Sequence, residues 1–497
     1  MYKSALFYKS MATPNPTSVV EAKEALAAGT YTATQLTEAT LARIADCEPA
    51  LNAFIEVLPE EALAAAEQRD VERASGSVQG VLHGIPIAIK DLICAKEGHT
   101  TAASNMLRTF KAPYDATVIR RLKAAGAIIV GKTNLDEFAM GSSTEYSAWG
   151  VVHNPWDTTR VAGGSSGGSG AAVAGGEVLL SLGTDTGGSI RLPASFCGVV
   201  GIKPTYGRVS RFGVIAYGSS LDQVGPFART VKDAALLLEV LAGHDPLDAT
   251  SSEEPVPSYS AACGQDITGM KIGLPREFFA EGVRAEVATV VREAIASLAE
   301  RGAVITEISL PLTPAAIAVY YLIAKAEAST NLARFDALRF APMALQTQTL
   351  LEHYLTARGT GFGPEVKRAI LMGSYALSAG YYDAWYKQAS KVRTLIIKEY
   401  EAAFSEVDVI AGPVAPEPAF PIGSKADDPL AMYLADALTV PISVAGVPAL
   451  SVPCGFVDGL PVGLQLAGAR WQEDKIIAVA HAYEQAHEWH KKLKIEN

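Results

Sequence analysis

The chain has 497 residues, with 42 lysines and arginines against 53 aspartates and glutamates, a formal charge of −11. Apolar residues make up 49 % and charged residues 19 %, and 43 glycines with 27 prolines are too few for a disordered or collagen-like chain. At roughly 150 residues per domain the length predicts about three domain-sized units, and the acidic balance excludes a basic nucleic-acid surface as the main feature. Five scattered cysteines without a C-x-x-C pair point to a reducing compartment. Eight histidines show no metal-ligand spacing, so neither a metal nor another cofactor is expected. No apolar run is long enough to span a bilayer. The segment Met1 to Ser10 carries Lys3 and Lys9 but too short an apolar stretch for a secretory signal, and Met11 is an alternative start. These features predict a soluble, cytoplasmic protein without a membrane partner.

Residues 1–75 are expected to form a helical region packed on a catalytic core of 76–497. Ile85, Ile87 and Ile89 alternate with Pro86, Ala88 and Lys90, a period-two strand that ends in a lysine. Asp115 is placed as the N-cap of a helix with Val118, Leu122 and Ala125 on one face. Gly126 stops that helix, and residues 127–130 are the next buried strand, so the order implies a crossover unit with parallel pairing. The same unit recurs with Ile272 and Leu274 in a strand, Val287, Val291, Ile295 and Leu298 striping a helix, and a second strand from Val304 to Ile308. Residues 315–400 have few turn signals and read as a helical insertion. Near the end, Asp458-Gly459 between two apolar runs is a hairpin signal. The fold class is α/β with a mixed sheet.

Chemistry concentrates in residues 162–191, AGGSSGGSGAAVAGGEVLLSLGTDTGGSIR. A phosphate-binding loop is weak here, because neither a G-x-x-x-x-G-K-[ST] nor a strand-borne G-x-G-x-x-G is present. A nucleophile elbow matches at Gly163-x-Ser165-x-Gly167, but a loop rather than an apolar strand precedes it. The third reading makes Ser189 the nucleophile. A serine hydroxyl needs a base within reach, and Lys90 at a strand end serves if burial keeps it neutral. A serine of the 163–170 loop can relay the proton, and the N–H groups of Thr186, Gly187, Gly188 and Ser189 can hold an oxyanion.

The runs GGSSGGS, SLGTDTGGSIR and GIPIAIKD resemble the amidase signature. That resemblance implies a twisted mixed sheet covered by helices on both faces and a serine hydrolase acting on C–N bonds through an acyl-enzyme. It assigns Ser189 as nucleophile, Lys90 as base and Ser165 as a bridging serine next to a cis peptide bond. Within the family, DEFAMGSSTE (136–145), KPTYGRVSRFG (203–213), SSLDQVGPFARTV (219–231), YALSAGYYDA (375–384) and PVGLQLAG (461–468) are similar to A subunits of glutamyl-tRNA(Gln) amidotransferases, which release ammonia from glutamine.

Departures fall where those subunits read glutamine. Ala369 follows Arg368 where a second arginine usually clamps the α-carboxylate; Leu192 replaces a glutamine; Tyr146 and Trp149 add aromatic surface. Asp436 matches the aspartate that takes the α-amino group, and Tyr320 with Tyr321 matches a tyrosine pair at the pocket. Losing an arginine–carboxylate contact forfeits about 1.5–3 kcal/mol, while added apolar surface favours apolar ligands. The expectation is a stand-alone hydrolase of aryl or apolar amides, carbamates or esters, with a small-molecule substrate and no direct nucleic-acid partner. The alternative is the glutamine-hydrolysing A subunit of a tRNA-dependent amidotransferase, with partner subunits and with Arg368 swung into the clamp's place.

Overall fold

The computed structural model describes residues 14–489, and the segment 1–10 read for a secretory signal lies outside them. In chain order the strands are β1 (Phe54–Val57), β2 (Pro86–Lys90), β3 (Ile128–Thr133), β4 (His153–Asn154), β5 (Asp157–Val161), β6 (Leu180–Asp185) and β7 (Val200–Lys203). They continue as β8 (Gln223–Ala228), β9 (Lys271–Pro275), β10 (Val304–Ile308), β11 (Val409–Pro413), β12 (Ala449–Val457) and β13 (Leu460–Gly468). β4 and β5 form a separate ribbon. The other eleven make one mixed sheet in the order β1-β3-β2-β6-β8-β7-β12-β13-β11-β9-β10, flanked by helices.

Both crossover units form. β2 pairs in parallel with β3 and with β6, and the helix Thr117–Ala124 buries Val118, Ile119 and Leu122 between them. Asp115 is not the helix cap: Ala116 holds that position. The Asp115 carboxylate instead accepts the Lys96 N–H and the Lys123 ammonium, both at 2.8 Å. The strand after Gly126 runs on past residue 130 through Gly131, Lys132 and Thr133. Lys132 is buried there because its ammonium donates to the Ile93 carbonyl at 2.7 Å and sits 3.3 Å from the Asp91 carboxylate. In the second unit Val287, Val291, Ile295 and Leu298 are all buried along the helix Ala285–Glu300, but β10 is a largely exposed edge strand. Asp458 and Gly459 both adopt positive φ, the geometry that a tight β12–β13 turn needs.

Parallel pairing fixes where the site lies. Lys90 ends β2 and Asp185 ends the neighbouring β6, so both leave the sheet at the same, carboxyl edge. Ile87, Ile89, Val130, Leu180 and Leu182 beneath them are fully buried, each contributing about 1.5–3 kcal/mol of apolar burial. Residues 313–406 supply the helices Thr313–Asn331, Leu350–Gly361, Pro364–Leu377 and Tyr386–Glu406, and the first and third of these pack against each other beside the strand ends. Truncating the fully buried Leu182, which pairs with Ile89 in the sheet, to alanine is expected to lower unfolding free energy by about 3 kcal/mol in a urea titration.

Candidate active site

Lys90 is fully buried, and its ammonium nitrogen reaches three hydroxyls: Ser165 Oγ at 2.8 Å, Ser166 Oγ at 2.7 Å and Thr184 Oγ1 at 2.9 Å. Burial is the main cause that lowers its pKa to about 7, against the opposing pull of Asp136, Asp185 and Asp222. The peptide bond Gly164-Ser165 is cis, as the resemblance implied. Ser166, which sits in a second G-x-S-x-G match (164–168), and Thr184 are given no catalytic role by the sequence reading. Their signal is positional: Ser166 adjoins the bridging serine, and Thr184 lies on β6 beyond the strand positions that pair with β2.

Ser189 lies in the turn after β6, one of the few site groups with residual exposure. Its carbonyl accepts the Ser166 N–H at 3.3 Å, which ties the two serine loops together. Among the described residues, the Ser165 hydroxyl is bonded to Lys90 and not to the Ser189 hydroxyl. The N–H groups of Gly187, Gly188 and Ser189 donate to no protein acceptor among the described residues. The turn's shape comes from both sides. Asp185 accepts from the Ile190 N–H and forms a buried pair with Arg191, whose guanidinium continues to the Thr439 carbonyl, Gln465 and Ser443. On the other side Thr186 donates to Asp222 at 2.6 Å. Two glycines allow close approach: a Cβ on Gly187 would sit 2.6 Å from the Tyr320 ring, and one on Gly188 would sit 2.3 Å from Thr439 Oγ1.

Asp436 borders the same turn. Its Oδ2 accepts from Ser142 Oγ at 2.5 Å, while Oδ1 is buried without a hydrogen-bond partner among the described residues. That oxygen would be 3.1 Å from a Cβ on Gly188. Burial raises the carboxyl to about 7. Tyr320 lies over Gly187, packs edge-on against Tyr321, and Tyr321 stacks on Tyr433 with ring centres 4.0 Å apart. Behind them Glu365 holds Lys325 at 2.5 Å, accepts from the Tyr433 hydroxyl at 2.9 Å and contacts Arg368. Arg368 is partly exposed and lines a cavity of about 1140 Å³ with Tyr321, Tyr433 and Leu438.

Of the remaining sequence-selected positions, Tyr146 lies within reach of the Glu365 and Arg368 charges, and the others pack around the site. Tyr146 is half-buried, and its N–H donates to Asp136. The Trp149 ring is covered by the Arg108 guanidinium at 4.4 Å. Leu192 is fully buried in an apolar cluster with Val161, Phe196 and Phe420, and Ala369 is fully buried in the cluster that holds Tyr320 and Val366. Cys197 is buried, and its thiol contacts the Ala162 carbonyl.

Comparison with known proteins gives the class. Residues 35–477 match the family described as Amidase, and the chain belongs to that family; it is an amidase acting on carbon–nitrogen bonds. It is 57 % identical over 473 residues, 95 % of this chain and 97 % of the relative, to the A subunit of glutamyl-tRNA(Gln) amidotransferase from Chloroflexus aggregans. The crystal structure of the protein of the same name from Thermotoga maritima superposes with a TM-score of 0.77 at 42 % identity, covering 91 % of both chains. The peptide amidase of Stenotrophomonas maltophilia superposes with a TM-score of 0.80 at 34 % identity, covering 96 % of this chain and 98 % of that one.

These relatives overturn the expectation of a stand-alone hydrolase of aryl or apolar amides and carbamates. They equally overturn the expectation of a small amide or carbamate as the sole partner, with no nucleic acid. The physical reason is in the pocket: the charges of Asp436, Arg368 and Lys325 remain beside the tyrosine pair, so its wall is not purely apolar.

A base that must be neutral to accept a proton sets the pH dependence. Below about 7 Lys90 is charged, so kcat/KM is expected to rise with pH through that region and level off above it, as read from initial rates of amide hydrolysis. Gly187→Ala, which drives a methyl group into the Tyr320 ring, is expected to cut kcat at least tenfold in the same assay while leaving Tm within a few degrees.

Proposed function

We propose that this chain is the glutamine-hydrolysing A subunit of a tRNA-dependent amidotransferase that converts glutamyl-tRNA(Gln). The observation that carries the reading is the unpartnered Asp436 oxygen beside the reactive turn, taken together with 57 % identity along 95 % of the chain to relatives of that name. A buried carboxylate oxygen without a donor is costly unless a ligand supplies one, and the α-ammonium of glutamine is such a donor.

In this mechanism glutamine enters with its ammonium on Asp436 and its α-carboxylate toward Arg368, the cation one position before the buried Ala369. Ser189 Oγ attacks the side-chain amide carbon. Its proton passes through the Ser165 hydroxyl to neutral Lys90, and the oxyanion is held by the N–H groups of Thr186, Gly187, Gly188 and Ser189. The C–N bond breaks as Lys90 returns the proton through Ser165, releasing ammonia and leaving a γ-glutamyl ester on Ser189. Water, deprotonated along the same route, hydrolyses that ester to glutamate. The ammonia passes to partner subunits that hold the glutamyl-tRNA, and this role belongs to the cytoplasm. No helix among the described residues is long and apolar enough to cross a membrane.

Glutaminase activity measured by ammonia release, with and without co-purified partner subunits, tests the reading. Activity that appears with the partners and vanishes in Ser189→Ala is the expected result; background hydrolysis with the partners present overturns it. Asp436→Asn is expected to raise KM for glutamine about ten- to a hundredfold, the loss of one charge-assisted bond of about 1.5–3 kcal/mol, with a smaller change in kcat.

A further inference from the structure

Two cations and one carboxylate meet behind the tyrosine pair, which leaves one positive charge in excess. Lys325 lies on the helix Thr313–Asn331, and Glu365 with Arg368 lies on the helix Pro364–Leu377. The two helices touch at Gly373, where the Lys325 carbonyl leaves no room for a Cβ. That close approach brings the lysine side chain onto the first turn of the neighbouring helix. Lys325 Nζ donates to Glu365 Oε1 at 2.5 Å and to the Tyr433 hydroxyl at 2.9 Å, and that hydroxyl donates in turn to Glu365 Oε1 at 2.9 Å. The other carboxylate oxygen, Oε2, accepts from Arg368 Nη1. Among the described residues neither cation has another ion-pair partner. Lys325 and Glu365 are almost fully buried, whereas the Arg368 side chain is 37 % exposed and opens onto the cavity it shares with Tyr321, Tyr433 and Leu438.

The excess charge matters to an anionic ligand. A buried carboxylate beside a lone arginine forms a neutral pair, and a second carboxylate approaching that arginine is repelled by the first, strongly so at low dielectric. Glu365 without its lysine would impose that penalty on any anion in the cavity. The Lys325 ammonium removes it by meeting the Glu365 charge from the buried side. It is held there by the Tyr433 hydroxyl and lies 5.3 and 4.7 Å from the ring centres of Tyr321 and Tyr433. Tyr321, stacked on Tyr433, is within reach of the Asp436 and Glu365 charges alike. An unspent positive charge at Arg368 and a carboxyl oxygen without a donor at Asp436 together suit a zwitterion.

We propose that Lys325 is a specificity-determining residue for the α-carboxylate of glutamine: it takes up the charge of Glu365, so that the charge of Arg368 is left for the ligand. This role, which rests on glutamine being the substrate, is exerted through Glu365 and Arg368 and involves no contact with a reacting atom.

Ammonia release by the complex with its partner subunits tests it, with L-glutamine compared against L-glutaminol, in which a neutral hydroxymethyl group replaces the carboxylate. Lys325→Met is expected to raise KM for glutamine about tenfold, the scale of one charge-assisted contact, with kcat within about threefold and a much smaller effect on glutaminol. Lys325→Met/Glu365→Gln, which removes the opposing charge as well, is expected to bring KM for glutamine back to within about threefold of the unsubstituted value. An equal loss on both substrates, or no recovery in the double variant, overturns the proposal, because lost packing would act in that way. If Lys325→Met does not fold, Glu365→Gln alone decides: KM for glutamine no higher than in the unsubstituted chain is expected, and a rise on glutamine without one on glutaminol overturns the proposal. An unsubstituted complex that releases no ammonia from glutamine sinks the glutaminase reading and this role with it. An active complex whose KM is unmoved by Lys325→Met overturns the role of Lys325 alone.

Discussion

A single amino group taken out of water governs the reactive half of this molecule. Lys90 is enclosed at the end of a parallel strand and surrounded by the hydroxyls of Ser165, Ser166 and Thr184, with the carboxylates of Asp136, Asp185 and Asp222 further off. Hydroxyls solvate the amine in either protonation state, whereas an adjacent carboxylate would lock it as a cation. The parallel register of β2 and β6 brings the lysine and Thr184 to the same depth, and the serine loop then closes over both.

Around that centre polar and charged side chains hold the two serine loops in place. Asp185 pairs with Arg191, Thr186 with Asp222, and the Ser166 N–H with the Ser189 carbonyl. Asp185 keeps its pKa low despite burial, because the Arg191 charge and hydrogen bonds outweigh desolvation. The turn is thus shaped by paired polar and charged groups, while Asp436, which borders it, is left raised by its own burial.

Much of the fold was legible from periodicity. The striped helix Ala285–Glu300, the Asp458-Gly459 hairpin and the β2–helix–β3 unit all follow from apolar spacing and turn chemistry. Asp115 misled because local capping preference competed with a tertiary contact, the Lys123 ammonium and the Lys96 N–H. The extension of β3 through Lys132 was invisible for a related reason, since the distant Asp91, the Ile93 carbonyl and the Thr100 hydroxyl make a buried lysine tolerable there. Lys90, Ser165 and Ser189 stood out as motifs, but the pocket did not. Leu192 and Ala369 look like apolar gains when read along the chain, and both side chains are fully buried in packed clusters, Ala369 in the one that also holds Tyr320. What a buried residue packs against is decided by its neighbours in space.

Arg191 follows Ser189 by two residues, yet its guanidinium grips the Thr439 carbonyl, Ser443 and Gln465, all contributed by the carboxyl-terminal part of the chain. The Ser189 turn and Lys90 are encoded in the first half of the polypeptide, but the brace that sets the turn arrives last. A ribosome-bound chain that has exposed only its amino-terminal half therefore carries Lys90, Ser165 and Ser189 and still lacks the groups that hold Arg191 in place.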